Sequence, residues 1–469
     1  MPLALIERWQ KNPIHQALAQ HPYREYVLSN IPNLLGLWIQ RTTVGWLTWE
    51  MTHSGFWLGA ISMAELSPSL LLAPIAGVFA DRYSRIKVLR ITQGLIFLQA
   101  LLFCLLLLNN LLTLPVLLGL VLLQGVVTSF AQPSRMALVS SMVPRQHLTS
   151  AVSLNAIIFN LARFLGPMLA GVGLVWLSPS ILLGCSATGY CWFWGVLWYL
   201  KIQEEHVEQV RQTAPTGLIQ SIHAGLHYAR QHPLLGPWLA IFIILCLGVR
   251  QLAELLPGVS DLLFHQGVEG LALLSSGLGL GAVAGSLWMS QQPHEALPRI
   301  FRFSAWGLCL LLFILSWSPS FVLAVIVVAG CGLLLMVSGI STQTMLQLEV
   351  EPQFRGRLLS LYGLVLRGGP AIGALLVGTT ADWIGLEWPL TIAAALTSLV
   401  LWRMQAQIPN YATQPPGKMS FITTTLITCL IPRSDSTLSR RRLRYAVSYT
   451  HLRAHETGRN LVCRLLLEK

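Results

Sequence analysis

Stretches of about twenty apolar residues that recur along a chain leave few folds open, because each is long enough to cross a bilayer as a helix. Here such runs fall near 28–50, 56–80, 88–109, 113–133, 151–177 and 179–201. After a polar interval they resume near 236–259, 268–289, 301–317, 320–343, 357–380 and 385–403. Only 11% of residues are charged and 54% are hydrophobic, too little charge to clothe a water-facing surface. The expected fold class is an all-α membrane protein with twelve transmembrane helices.

Charge placement tests that count. The chain carries a formal net charge of +12. Residues 404–469 hold 10 basic and 3 acidic side chains, which leaves 21 basic and 16 acidic for the rest. Of those 21 cations, Arg41, Arg163, Arg250 and Arg367 fall inside apolar runs. The other seventeen lie at the amino terminus, at the even-to-odd connections, in the central interval or at the end of the twelfth run. The odd-to-even connections hold no cation, and Asp261, Glu269, Asp382 and Glu387 sit on that side. Cations gather on the cytoplasmic side of a membrane, so both termini are expected there. The basic balance thus reads as membrane topology, with lipid as partner and no nucleic acid.

Eight cysteines show no C-x-x-C pair, and six sit within apolar runs as small hydrophobes. Neither disulfide, metal nor other cofactor is expected, and no cleavable signal peptide is visible. No phosphate-binding glycine-lysine loop, nucleophile elbow or H-E-x-x-H pattern appears, so the reading is not an enzyme or an ATP-driven pump.

Repeats divide the chain. Gly77 and Gly285 are 208 residues apart, as are Pro144 and Pro352, and RFLGPMLAG is echoed about 203 residues later by RGGPAIGALLVG. Two pseudo-symmetric six-helix bundles follow from this spacing: an amino-terminal half over 1–201, a cytoplasmic linker over 202–235 and a carboxyl-terminal half over 236–404. Within the linker, Thr213 to Gly217 is a breaker, and IQSIHAGLHYARQHP predicts a short amphipathic helix ending before Pro233. Residues 405–469 read as a disordered tail. Its last part, 446–469, resembles the conceptual translation of a sequencing adapter, and 405–445 reads either as native tail or as read-through.

The most informative string is GVFADRYSRIKVLR, Gly77 to Arg90, a charged loop between the second and third runs. With WIQRTTVGWLTWEMTHS, NLARFLGPMLAG and RGRLLSLYGL, it resembles the major facilitator superfamily over residues 23 to 403. Within it, the resemblance is to the transmembrane-secretion-effector branch, which includes the enterobactin exporter and macrolide-efflux-like proteins. The resemblance implies that Gly77, Asp81, Arg82, Arg85 and Lys87 form a conformational latch, with Arg355 and Arg357 near the opposing helix end. The alternative is that these charges only set orientation. It also implies that Gly166, Pro167 and Gly171 form the bent helix-5 signature of exporters, which as a packing kink is physically almost the same statement. The family often places an acidic residue before its first-helix tryptophan. This chain reads Gly36-Leu37-Trp38, so no coupling role is carried over to that position.

Ionisable residues at mid-membrane depth are costly unless they meet a partner or a wet cavity. Arg41, Glu65, Arg163, Arg250, Glu254 and Arg367 are therefore the candidate cavity and coupling residues, with Trp38 and Gln40 as cavity lining. Arg250 and Glu254, four apart, are expected to share a helix face and pair. Glu65, close to Pro68, is either a proton-accepting carboxylate or a structural partner for Arg41 or Arg163. The resemblance implies a monomeric secondary exporter in a bacterial inner membrane, moving an amphipathic small molecule (a siderophore-like metabolite or a drug) against proton entry. Two other readings remain at this point: a lysophospholipid flippase of the same fold, and a non-transporting membrane sensor or scaffold.

Overall fold

Lipid offers no hydrogen-bond partners, so a chain of apolar runs satisfies its backbone within helices, and helices are what the computed structural model shows. It describes residues 13–139, 141–200, 227–229, 232 and 235–405. A short α1 (Pro13–Leu18) precedes six long helices: α2 (His21–Thr52), α3 (Gly55–Arg82), α4 (Arg85–Leu108), α5 (Leu114–Val139), α6 (Leu148–Trp176) and α7 (Pro179–Tyr199). The seventh span is split into α8 (Leu235–Gly248) and α9 (Leu252–Gly258), followed by a π-helical turn at Val259–Leu263. Then come α10 (Gly267–Met289), α11 (Leu297–Ser316), α12 (Phe321–Glu349), α13 (Pro352–Ile384) and α14 (Glu387–Gln405).

All twelve expected spans are present as helices among the described residues, and ten of them are long and apolar enough to cross a membrane. The two outside that set are α2, which carries Arg24, Glu25, Arg41 and Glu50, and the short α14. Several helices overrun their apolar runs. Helix α2 begins at residue 21 rather than 28, and α5 ends at 139 rather than 133. Hydropathy marks where lipid ends, whereas helical hydrogen bonding continues into the water layer. Arg135, expected at a boundary, consequently lies inside α5. The expected charged loop is likewise shorter than its charges suggest. Asp81 and Arg82 belong to the last turn of α3, and α4 starts at Arg85, where Ser84 Oγ accepts from the Lys87 backbone N–H (3.5 Å).

Packing repeats with a step of six spans. In the first half α2 packs on α6 and α7, α3 on α5, and α4 on α5 and α7. In the second, α8 packs on α13 and α14, α10 on α12, and α11 on α12 and α14. The halves meet along two seams, α3 against α13 and α6 against α10, and the same step of six turns one seam into the other.

The second half has one continuous core, in which Trp238 stacks on Phe301 and Phe242 on Tyr362. The first half is built from smaller clusters, such as Tyr23, Tyr26 and Phe193. Outside these cores the surface is apolar, and exposed Trp176, Tyr199, Trp317, Trp383 and Trp388 stand at helix ends. That distribution suits lipid with an aromatic belt at each interface. Residues 1–12, most of the 202–235 linker with its breaker, and the tail from 406 lie outside the described residues.

Candidate functional site

The mid-depth charges converge on Arg41. Its Nη2 lies 3.0 Å from Glu254 Oε1 and its Nε 3.4 Å from Glu65 Oε2. One guanidinium on α2 thus holds a carboxylate from its own half and another from the opposite half. Ser62 Oγ donates to the second oxygen of Glu254 at 3.0 Å. Beside this pair Gln40, almost fully buried, donates through Nε2 to Gln99 Oε1 (3.2 Å) and Gln124 Oε1 (3.1 Å). Gln40, Arg41, Ser62, Glu65, Gln124 and Glu254, with apolar neighbours such as Val44 and Ile61, line a cavity of about 40 Å³. It has room for about three water molecules, far less than the several hundred Å³ of a solute pocket.

Trp38 stands next to the cluster. The guanidinium carbons of Arg41 and Arg163 lie 5.4 and 5.7 Å from its ring centre, within cation–π range. Its indole N–H is buried with no acceptor among the described residues. Gly166 makes this arrangement possible, since a Cβ there would strike the Trp38 side chain. Gly171 does the same for α10, where a Cβ would come 2.7 Å from the Ala272 backbone. Pro167 sits inside α6 between them.

Arg250 does not pair with Glu254. Its Nη1 donates to the Leu335 carbonyl (2.9 Å) and Ser338 Oγ (3.2 Å) on α12. The i to i+4 expectation assumed an unbroken helix, but the chain leaves helical geometry at residues 249–251. There the N–H groups of both Val249 and Arg250 reach back to Leu245 O, and the two side chains diverge. Arg367 is exposed, with no carboxylate within ion-pair distance among the described residues. It lies within electrostatic reach of Arg41 and Glu65, as Arg163 does of Arg250, Arg41 and Glu254. Of the candidate cavity residues, the structure therefore brings Trp38, Gln40, Arg41, Glu65, Arg163 and Glu254 together, and sets Arg250 and Arg367 around them.

At the end formed by the odd-to-even connections, the halves are tied by two aspartates that the sequence marked only for their sign. Asp382, at the end of α13, accepts from Ser54 Oγ (2.5 Å), the Gly55 N–H (2.7 Å) and the Phe56 N–H (3.3 Å). A carboxylate on the first turn of α3 is favoured by the unpaired amides and by the helix dipole. Asp261, at the end of the seventh span, accepts from Trp49 Nε1 (2.9 Å) and lies 3.6 Å from His53 Nδ1. Along the seams glycine permits backbone contact: a Cβ on Gly55 would come 2.8 Å from the Gly378 backbone, and one on Gly59 would overlap Leu375.

The latch residues fare differently. The side chains of Gly77, Asp81, Arg82, Arg355 and Arg357 lie outside the described ones. Lys87 is exposed on the first turn of α4, and Arg85 sits beside it. Sequence reasoning missed Ser62, Gln99 and Gln124, and also a buried relay in which Arg135 Nη2 donates to Gln93 Oε1 (3.2 Å) and Gln93 Nε2 to Asn33 Oδ1 (2.7 Å). A polar residue within an apolar run was the available signal. Among the described residues no group of His, Cys, Asp and Glu could hold a metal ion.

Comparison with known proteins gives a consistent picture. The family model described as transmembrane secretion effector matches residues 15–423. Over 370 residues the chain is 26% identical to the staphyloferrin A transporter of Staphylococcus aureus (strain NCTC 8325 / PS 47), spanning 77% of this chain and 90% of that one. Over 363 residues it is 27% identical to the enterobactin exporter EntS of Shigella flexneri, spanning 77% and 85%. Among solved structures, the nucleoside transporter NupG aligns with a TM-score of 0.64 at 13% identity, over 83% of this chain and 100% of that one. A bacterial homolog of the human lysosomal transporter Spinster, inward-facing and unoccupied, aligns at 0.58 and 13%, over 83% and 98%. At those identities the likeness to solved structures is one of fold.

Proposed function

We propose, from the premise that the chain belongs to the transmembrane secretion effector family, that it exports an amphipathic small molecule of siderophore type by alternating access. It is a multi-pass membrane transporter of the major facilitator type rather than an enzyme. The finer reading sets it in a bacterial inner membrane as a monomer, with both termini cytoplasmic and protons moving inward as solute moves out.

The observation that carries this reading is the ion pair of Arg41 with Glu254, which joins the two halves at mid-depth, with Glu65 on another nitrogen of the same guanidinium. Protonating either carboxylate frees Arg41 to hold the other. Proton arrival at Glu254 would thereby release one half from the other. Closure at the odd-to-even end by Asp261 and Asp382 supports a state open toward the cytoplasm, in which solute would enter. When the opposite end closes, Asp81 at the end of α3 would meet the start of α13, with Arg82, Arg85, Lys87, Arg355 and Arg357 around it.

The test is accumulation of a siderophore and drug panel in cells with and without the gene, repeated with a proton uncoupler. Lower retention of a siderophore-type compound, abolished by the uncoupler, is the expected result. Equal retention of every compound in both strains would sink the export reading, and export that survives the uncoupler would sink the coupling.

A further inference from the structure

The middle of the membrane holds more positive than negative charge. Arg41, Glu65, Arg163, Arg250, Glu254 and Arg367 each lie within about five residues of the midpoint of their span. Among the described residues no other carboxylate sits in those central turns. Arg41 alone engages both glutamates, and Arg250 is held by a carbonyl and a hydroxyl. Among the described residues, Arg163 and Arg367 are left without a carboxylate partner.

These two occupy matched places. Each is the sixteenth residue of its helix, Arg163 in α6 and Arg367 in α13, and those helices are exchanged by the step of six spans. Each also feels charges of the opposite half, Arg163 those of Arg250 and Glu254, Arg367 those of Arg41 and Glu65. Both stand on helices that form the seams between the halves, Arg163 on α6 against α10 and Arg367 on α13 against α3. Beside Arg163 the indole N–H of Trp38 is a buried donor without an acceptor among the described residues. Unpaired guanidinium groups inside a bilayer are costly, and a buried donor adds to that cost. Both deficits are relieved by one kind of occupant: a group that brings negative charge and accepts hydrogen bonds.

We propose that the transported solute is an anion, whose carboxylate or phosphate group is received by Arg163, Arg367 and the Trp38 indole N–H. This rests on the transporter reading above and narrows its substrate class. Guanidinium suits such groups because its paired N–H donors match two oxygens at once. The two glutamates are already engaged by Arg41, so they do not offer a cation the same reception. A cationic amphiphile would meet a surplus of like charge.

The experiment uses the full chain in phosphatidylcholine nanodiscs and three probes of one shape: 2-naphthoate, 2-naphthalenemethanol and 2-naphthylmethylammonium. Binding is read by quenching of tryptophan fluorescence, and access by labelling of cysteines introduced at the two ends. Saturable binding is expected for naphthoate only, weakened at least about tenfold by Arg163→Gln and by Arg367→Gln. Arg163→Lys should recover part of the loss, which separates a lost charge from a misfolded protein. The proposal is overturned if the ammonium probe binds as tightly as naphthoate, if naphthoate does not saturate, or if both glutamine variants bind it within twofold of the parent. Replacing part of the lipid with phosphatidylglycerol should leave naphthoate affinity unchanged. If it abolishes binding, the occupant is a lipid head group and the solute proposal falls. The labelling keeps the two levels apart: ammonium-driven change in access overturns the anion but keeps the transporter, whereas no change with any probe counts against both.

Discussion

The two halves meet in two very different ways. Along the α3–α13 and α6–α10 seams, contact is made by backbone and small residues, as at Gly55 with Gly378, Gly59 with Leu375 and Gly171 with Ala272. In the middle, contact is made by polar side chains, one guanidinium shared between carboxylates of opposite halves and Ser62 donating to Glu254. Small-residue packing lets backbones approach closely and carries no charge. An ion pair is directional and responds to a proton. Under the alternating-access proposal, the uncharged seams are the surfaces on which the halves would rock, and the centre would respond to protonation.

Five substitutions break or sharpen that contrast. Arg41→Gln should have the largest effect, because Glu65 and Glu254 then share a cavity without a cation. A loss of about 2–3 kcal/mol is expected, below the fully buried figure because each side chain keeps some solvent access. Thermal unfolding in nanodiscs and loss of transport are the readouts, and an unchanged Tm would mean the pair is ornamental. Gly59→Val comes next, at about 1–3 kcal/mol, since a Cβ there overlaps the Leu375 backbone. It should lower Tm and slow exchange between states, whereas a merely lipid-facing glycine would tolerate the change.

Asp382→Asn should shift the balance of states by about fivefold, or about 1 kcal/mol, toward opening at the odd-to-even end. Spin-label distances across that end measure it. Asp81→Asn should move the same distances in the opposite direction. Equal signs for the two variants would show that these aspartates do not act as opposed ties. Smallest is Ser62→Ala, which removes one hydrogen bond to Glu254 at about 0.5–1.5 kcal/mol. Slower transport without loss of folded protein is the expected signature.

The helices and their order were legible because an apolar run of membrane length has one physical solution. Arg41, Glu65, Arg163, Arg250, Glu254 and Arg367 were legible for the converse reason, since charge at that depth demands an explanation. Pairing was not. Arg250 and Glu254 satisfy the spacing rule, yet nothing within residues 249–251 announces the break that separates them. Gly248 and Pro257 only flank it. Gln99 and Gln124 were overlooked because a neutral amide in an apolar run raises little alarm, although it needs a partner as surely as a charge does. Asp261 and Asp382 were recorded as topology markers. Their reach across to the other half depends on how the spans are juxtaposed, which no local pattern carries.

The interrupted seventh span has a mechanical consequence. Its outer piece, Leu252–Leu263, touches α2 and α3 of one half and α10 and α13 of the other, and it bears both Glu254 and Asp261. Three residues with irregular backbone bonding join it to α8. Torque passed between the bundles there travels through a swivel instead of a stiff shaft. If the halves rock as proposed, the carboxylates that grip the first bundle would stay in register with it while the rest of the second bundle turned.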